Sequence, residues 1–289
     1  MKSVTAKDNK GNNSSGIFYG MYVLSMLLFG TNGYLVSHIS LQSSQIVLVR
    51  TLIGGILLSA MVLLQNDFTF SRIKPELRNL LAGGIALGLN WVALFAAYRM
   101  LNVSLATLIY YAGPMLVLLF SPWLFREALS KRKLTAIIIV AVGLLCITGS
   151  IAAGKLSMAG LVTAVGSALF YAALIVFNKR IKNTGGLQTA AIELDVAFVV
   201  VLLYVLFTSG FSDPLATDIP YLLTIGLLNT GLAYFLYFSS MQRLPAQSVA
   251  LISYIDPVSA LLFSAWLLNE NMTLLQIAGA VFIIVGAIL

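Results

Sequence analysis

Asp256 and Pro257 stand side by side in the middle of an apolar run, residues 246–268. Proline removes a backbone donor and disfavours helical geometry at the residue before it. A carboxylate and freed carbonyl oxygens would therefore meet at one depth, which suits a cation, an ammonium group or a proton. Three further ionisable residues stand in apolar runs: Arg50, Glu193 and Asp195. With Asp256 they are the expected coupling or gating residues. Glu193 and Asp195 lie about 200° apart around a helix, so they cannot share a face. At most one faces a central cavity, and the other meets a neighbouring helix or the basic loop at Lys179 to Lys182. Arg50 could grip a carboxylate with its guanidinium fork, snorkel to the interface or hold two helices together.

Aromatic side chains gather near the same depth: Trp91, Tyr110, Tyr111, Tyr234, Tyr237 and Tyr254. Tyr110, Tyr111 and Tyr254 sit too deep for an interfacial belt, and their hydroxyls need partners. With Asp256 they are expected to build an aromatic cage for an organic cation. Tyr98 is expected in a belt instead. Asn90 and Asn229 are polar at depth and are expected to line the same route.

These groups need elements that hold them in an unusual solvent. Hydrophobic residues make up 60% of the chain and charged residues 9%, against about 25% charged in soluble domains. Such a chain cannot cover a water-facing surface, so the expected fold is an all-α integral membrane bundle. An ionisable group at the centre of a spanning helix costs about 2.5–3.5 kcal/mol, so the four residues above should face an interior or a watery cavity. The net charge of +7 sits in short loops and speaks for orientation, not nucleic-acid binding. The lone Cys146 reads as a small buried side chain, and the lone His38 as a polar residue at the end of the first span. There is no Walker-type loop and no His/Cys/Asp ligand cluster. No cofactor and no metal are expected.

A spanning helix needs about 20 apolar residues. Ten segments qualify, near 17–37, 45–64, 77–98, 102–123, 134–151, 157–178, 187–208, 219–240, 246–268 and 273–289. Residues 1–15 are polar and are expected to form a disordered tail. With alternating spans and a cytoplasmic N-terminus, 14 of the 17 basic residues fall inside, only Arg99 and Lys155 fall outside, and Arg50 lies within a span. That bias places both termini in the cytoplasm of a plasma-membrane protein.

The spans repeat. Pro114-Met115-Leu116 with Glu127 returns as Pro257-Val258-Ser259 with Glu270, at an offset of 143. Tyr111 meets Tyr254, Gly88 meets Gly231, and Gly143 meets Gly286 at the same offset. Residues 16–152 and 153–289 are thus expected as two five-helix repeats. Five is odd, so the second enters the membrane inverted, and the site belongs at the repeat interface with Pro114 and Pro257 as helix breaks. Gly83, Gly84 and Gly88 should let helices approach closely.

Ten spans in two inverted repeats, each with a mid-span proline and a glutamate after its fourth helix, resemble the drug/metabolite transporter superfamily, in particular its EamA family. Arg50 in Val49-Arg50-Thr51-Leu52 and the Val142-Gly143 and Val285-Gly286 endings also resemble that pattern. The resemblance implies that spans 3, 4, 8 and 9 line a central cavity while 1, 2, 6 and 7 rock around it. It also implies a small polar organic substrate, an amino acid or an amine, exported by alternating access and exchanged for protons through Asp256. An uncoupled facilitator or an uptake carrier using the same cavity is the alternative. A channel and an intramembrane enzyme fit less well. The expected partners are the bilayer, the small-molecule substrate and protons, with the chain a monomer or homodimer.

Overall fold

The computed structural model describes residues 5–65, 70–101, 103–148, 157–208, 210–269 and 271–289. Residues 1–4 of the expected tail, Lys155 and Glu270 therefore lie outside the described residues. Every regular element described is helical. A helix satisfies its own backbone polar groups, which lipid cannot do.

The first half holds α1 (Thr5–Gly30), α2 (Asn32–Ser37), α3 (Ser43–Leu64), α4 (Phe70–Ile73), α5 (Leu77–Met100), α6 (Val103–Tyr110), α7 (Ala112–Phe125) and α8 (Lys131–Thr148). The second holds α9 (Met158–Arg180), α10 (Gly186–Thr208), α11 (Ile219–Thr224), a π-helical segment (Ile225–Leu232), α12 (Ala233–Met241), α13 (Ala246–Ile252), α14 (Ile255–Leu267) and α15 (Leu274–Ile288). Helix α1 begins inside the stretch expected as a polar tail.

Seven described helical stretches are long and apolar enough to cross a membrane, against the ten expected. The difference lies in α1, α8 and α15. The first turn of α8 is Lys131-Arg132-Lys133, α15 has only 15 residues, and the first half of α1 is polar.

Packing repeats with the sequence. Helix α5 lies on α9, and its counterpart α12 lies on α1. Helix α5 also lies on α10, as the π segment lies on α3, and α7 lies on α9 as α14 lies on α1. Helices α3 and α10 pair with each other, as do α8 and α15. Exchanging the halves maps these contacts onto themselves. The backbone carries the same mark: Arg126 and Asn269, 143 apart, are left-handed at φ 58° and 54°, a conformation uncommon outside glycine.

Small residues set the close crossings. A Cβ on Gly84 would meet Val196 Cβ at 2.6 Å, and one on Gly88 would meet Val200 Cβ at 2.7 Å. Their absence lets α5 press against α10, as small-residue stripes do in membranes. Where α8 crosses α15, a Cβ on Gly143 would meet the Gly279 carbonyl at 2.7 Å. Cys146 is half-buried at this crossing rather than fully buried. His38 lies between the rings of Tyr34 and Tyr221, 4.6 and 4.7 Å from their centroids.

Candidate functional site

Two helices are interrupted where the sequence placed its prolines. The break between α6 and α7 is Tyr111, and the break between α13 and α14 is Ser253-Tyr254. Pro114 and Pro257 are each the third residue of the helix that follows. Helical N–H groups in a first turn have no intrahelical partner, so proline starts these helices without losing a bond.

The breaks meet. The Tyr254 hydroxyl donates to the Tyr111 carbonyl at 2.8 Å, and the two rings lie 6.4 Å apart. The Tyr111 hydroxyl does not return the contact to Tyr254. It donates to Asp256 Oδ2 at 3.2 Å. The repeat supplies Gly113 at the position of Asp256. A Cβ there would meet the Ala168 carbonyl at 2.9 Å, so α7 tolerates no side chain where α14 carries a carboxylate.

Asp256 lines a cavity of about 550 Å³. Arg50 on α3 lines it too, its guanidinium carbon 5.2 Å from the centroid of the Trp91 ring, within cation–π range. Arg50 Nε has no hydrogen-bond partner. Tyr110, Tyr111, Trp91, Asn90, Tyr234 and Tyr237 all line the same space. Trp91 stands edge-on to Tyr234 at 5.8 Å, and Tyr234 contacts Tyr237 at 5.9 Å. Asn90 donates to the Ser167 carbonyl at 2.7 Å.

Other expected residues sit elsewhere. Tyr254 is 1% exposed and is not among the lining residues; it fastens the two breaks. Asn229, in the π segment, donates to the Leu28 carbonyl at 2.6 Å, Thr31 Oγ1 at 2.7 Å and Asn32 Oδ1 at 3.1 Å. It supports Asn32, which lines the cavity. Glu193 is fully buried with both oxygens 2.9 Å from Asn178 Nδ2 on α9. Asp195 is exposed on the opposite face of α10 and accepts from Ser59 at 2.8 Å. Neither carboxylate reaches the central cavity.

Sequence reasoning missed Tyr171, whose ring stacks on Tyr110 at 5.1 Å and 14°. It also set Tyr98 in an interfacial belt, whereas Tyr98 lines the cavity and contacts Thr107 Oγ1 at 3.1 Å. A hydroxyl-bearing pair nine residues apart around a short loop was the available signal for Tyr98. Nothing in the sequence distinguished Tyr171 from a packing residue. Among the described residues no group of three or more His, Cys, Asp or Glu side chains could hold a metal ion.

A second space adjoins the cavity toward one end of the bundle. Ser43 and Phe95 line both the cavity and that space of about 490 Å³, which also touches Gln42 and Arg99. Arg99 Nη2 donates to Gln42 Oε1 at 3.4 Å in an exposed contact. The opposite end is fastened. Gln242 donates to Thr189 at 2.8 Å, and the Lys179 ammonium reaches the carbonyls of Met241 and Leu244. Glu127 accepts the backbone N–H groups of Ala246 at 2.8 Å and Gln247 at 3.1 Å, capping α13. Gln247 in turn donates to Ser121 at 2.7 Å and accepts from Lys133.

The sequence profile of the EamA-like transporter family matches residues 14–149 and 158–289. The chain is 29% identical over 268 residues to the Bacillus subtilis protein named uncharacterized transporter YxxF, covering 91% of this chain and 86% of that one. It is 28% identical over 234 residues to a probable amino-acid metabolite efflux pump of Salmonella typhimurium, covering 76% and 78% of the two chains. A solved crystal structure overlays with a TM-score of 0.82 at 19% identity, covering 95% of this chain and 96% of the other.

Proposed function

The chain belongs to the EamA-like transporter family, and from that premise we propose that it is a secondary transporter exporting small metabolites that carry an ammonium and a carboxylate, amino acids foremost. One observation carries this reading: Asp256 and Arg50 line the same aromatic-walled cavity. A carboxylate matches the ammonium of a zwitterion, and a guanidinium matches its carboxylate. Trp91 and the tyrosines would receive the side chain and exclude water. The relatives named as probable amino-acid metabolite efflux pumps point the same way.

On this reading ten helices cross the plasma membrane as two inverted repeats, with both termini in the cytoplasm. The Arg99 end then faces outward, and alternating access exchanges one sealed end for the other. Asp256 takes up a proton when substrate leaves. The uncoupled alternative draws on one observation: the Tyr111 hydroxyl already donates to Asp256, which gives that carboxylate a packing role.

Flux in proteoliposomes separates the two. Wild type should accumulate amino acid against its gradient when a pH gradient is imposed. Asp256→Asn should keep downhill flux at saturating substrate and lose accumulation. Accumulation by the variant equal to wild type would sink the coupling role, and uptake of amines or sugars in preference to amino acids would sink the zwitterion assignment.

A further inference from the structure

We infer that the central cavity holds a subsite for an uncharged hydrogen-bonding side-chain tip, a hydroxyl or a primary amide, and so selects polar over apolar amino acids. The inference rests on the zwitterion reading and deepens it. Tyr237 lines the cavity and is 2% exposed, and its hydroxyl has no hydrogen-bond partner. Its polar neighbours are the hydroxyls of Tyr22 and Tyr171, which stand beyond hydrogen-bond length. The Tyr22 ring stacks on that of Tyr237 at 5.3 Å and 26°. Tyr237 lies about one helical turn before Met241, whose carbonyl Lys179 reaches. The tyrosines thus stand toward the 241–247 end of the cavity. A buried hydroxyl left unpaired is costly and calls for an atom brought from outside.

The scaffold does not ask for hydroxyls here. At the 143-residue offset Tyr237 answers to Leu94, Tyr171 to Leu28 and Tyr22 to Val165. Each equivalent is aliphatic, so the fold packs these positions without polar groups. Counting donors defines the tip. Ser253 Oγ donates to the Val249 carbonyl at 2.8 Å, so the Tyr22 hydroxyl is the donor in its 2.8 Å contact with Ser253. The Tyr22 oxygen is left as an acceptor, while the Tyr237 hydroxyl is free both to donate and to accept. A tip that carries an acceptor and a donor completes this set. A methyl group or a bare phenyl ring leaves Tyr237 unpaired, and sites built to bond a substrate hydroxyl discriminate against such analogues. A charged tip does not fit. Among the described residues only Arg50 and Asp256 bring a formal charge to the cavity wall, and the two ends of the zwitterion occupy them. A further charge would be buried without a partner.

Calorimetric titration of the full chain with two pairs of amino acids tests it. Threonine against valine is a short pair of similar shape, and tyrosine against phenylalanine is a long pair that differs by one hydroxyl. Wild type should bind the hydroxyl-bearing member of at least one pair about tenfold more tightly, the effect of one net hydrogen bond. Tyr237→Phe should bring that ratio near unity, and Tyr22→Phe should lower it partway. A ratio read within one variant does not depend on how much of the protein folds. Glutamine should bind more tightly than glutamate, and the reverse order overturns the uncharged class. Ratios near unity for both pairs in wild type overturn the proposal and leave the zwitterion reading standing, since water alone then meets the hydroxyls. A preference that survives Tyr237→Phe also overturns it. Binding of none of these amino acids overturns the proposal and the zwitterion reading together.

Discussion

The two ends of the bundle occupy equivalent positions of the repeat and carry different polar residues: Gln242 answers to Arg99, and Gln247 to Ser104. At one end Gln242, Lys179, Glu127 and Gln247 tie the 241–247 stretch to α7, α8, α9 and α10. At the other, Arg99, the residue 143 before Gln242, donates to Gln42 at 3.4 Å beside a space that shares Ser43 and Phe95 with the cavity wall. The repeat keeps the scaffold at both ends and varies the polar groups placed there.

Locking the 241–247 end should have the largest effect. A reagent bridging Gln242→Cys and Thr189→Cys, in a Cys146→Ser background, should abolish flux, and reduction of a cleavable bridge should restore it. Undiminished flux would show that this end does not open during transport. Next come the charges of the cavity. Arg50→Lys and Asp256→Asn should each weaken substrate binding on the order of 10- to 100-fold, the loss of a charge-assisted hydrogen bond, as measured by calorimetry. Comparable binding in both variants and wild type would leave these two charges without a recognition role.

Smaller effects sharpen the contrast between halves. Gly113→Ala should destabilise the protein by about 1–3 kcal/mol through overpacking, because its Cβ would meet the Ala168 carbonyl at 2.9 Å. Asp256→Ala, at the same position of the other half, should lower thermal stability less. Equal losses would mean that the two breaks are packed alike. Smallest is Glu127→Ala, which removes a helix cap worth about 1 kcal/mol. It should raise the labelling rate of a cysteine introduced at Gln247 several-fold, and an unchanged rate would mean that the cap does not hold the seal.

Much of this was legible in the sequence because proline, glycine and charge are scarce and positional in an apolar chain. The 143-residue offset located both breaks, and the spacing of Glu193 and Asp195 placed them on opposite faces. Which face met what was not legible. Lipid and a packed core are equally apolar, so α10 shows no periodicity that separates its outer wall from its inner one. For the same reason Tyr171 read like any packing residue, and Tyr98 like a belt. The clasp made by Glu76 with the Lys182 and Asn183 amides at 3.0 and 3.1 Å, and its counterpart from Asp218 to Ser40 at 2.6 Å, joins loops distant in sequence. Neither partner signals the other.

The hydrogen bond from Tyr254 to the Tyr111 carbonyl has a mechanical meaning. It rivets two interrupted helices at one point inside the protein. On the proposed alternating-access reading, segments pinned there swing as a see-saw: what spreads on one side of the rivet draws together on the other. On that reading such a part is not ajar at both ends at once. The molecule would thus be protected against leak by its joint, before any gate at either surface has closed.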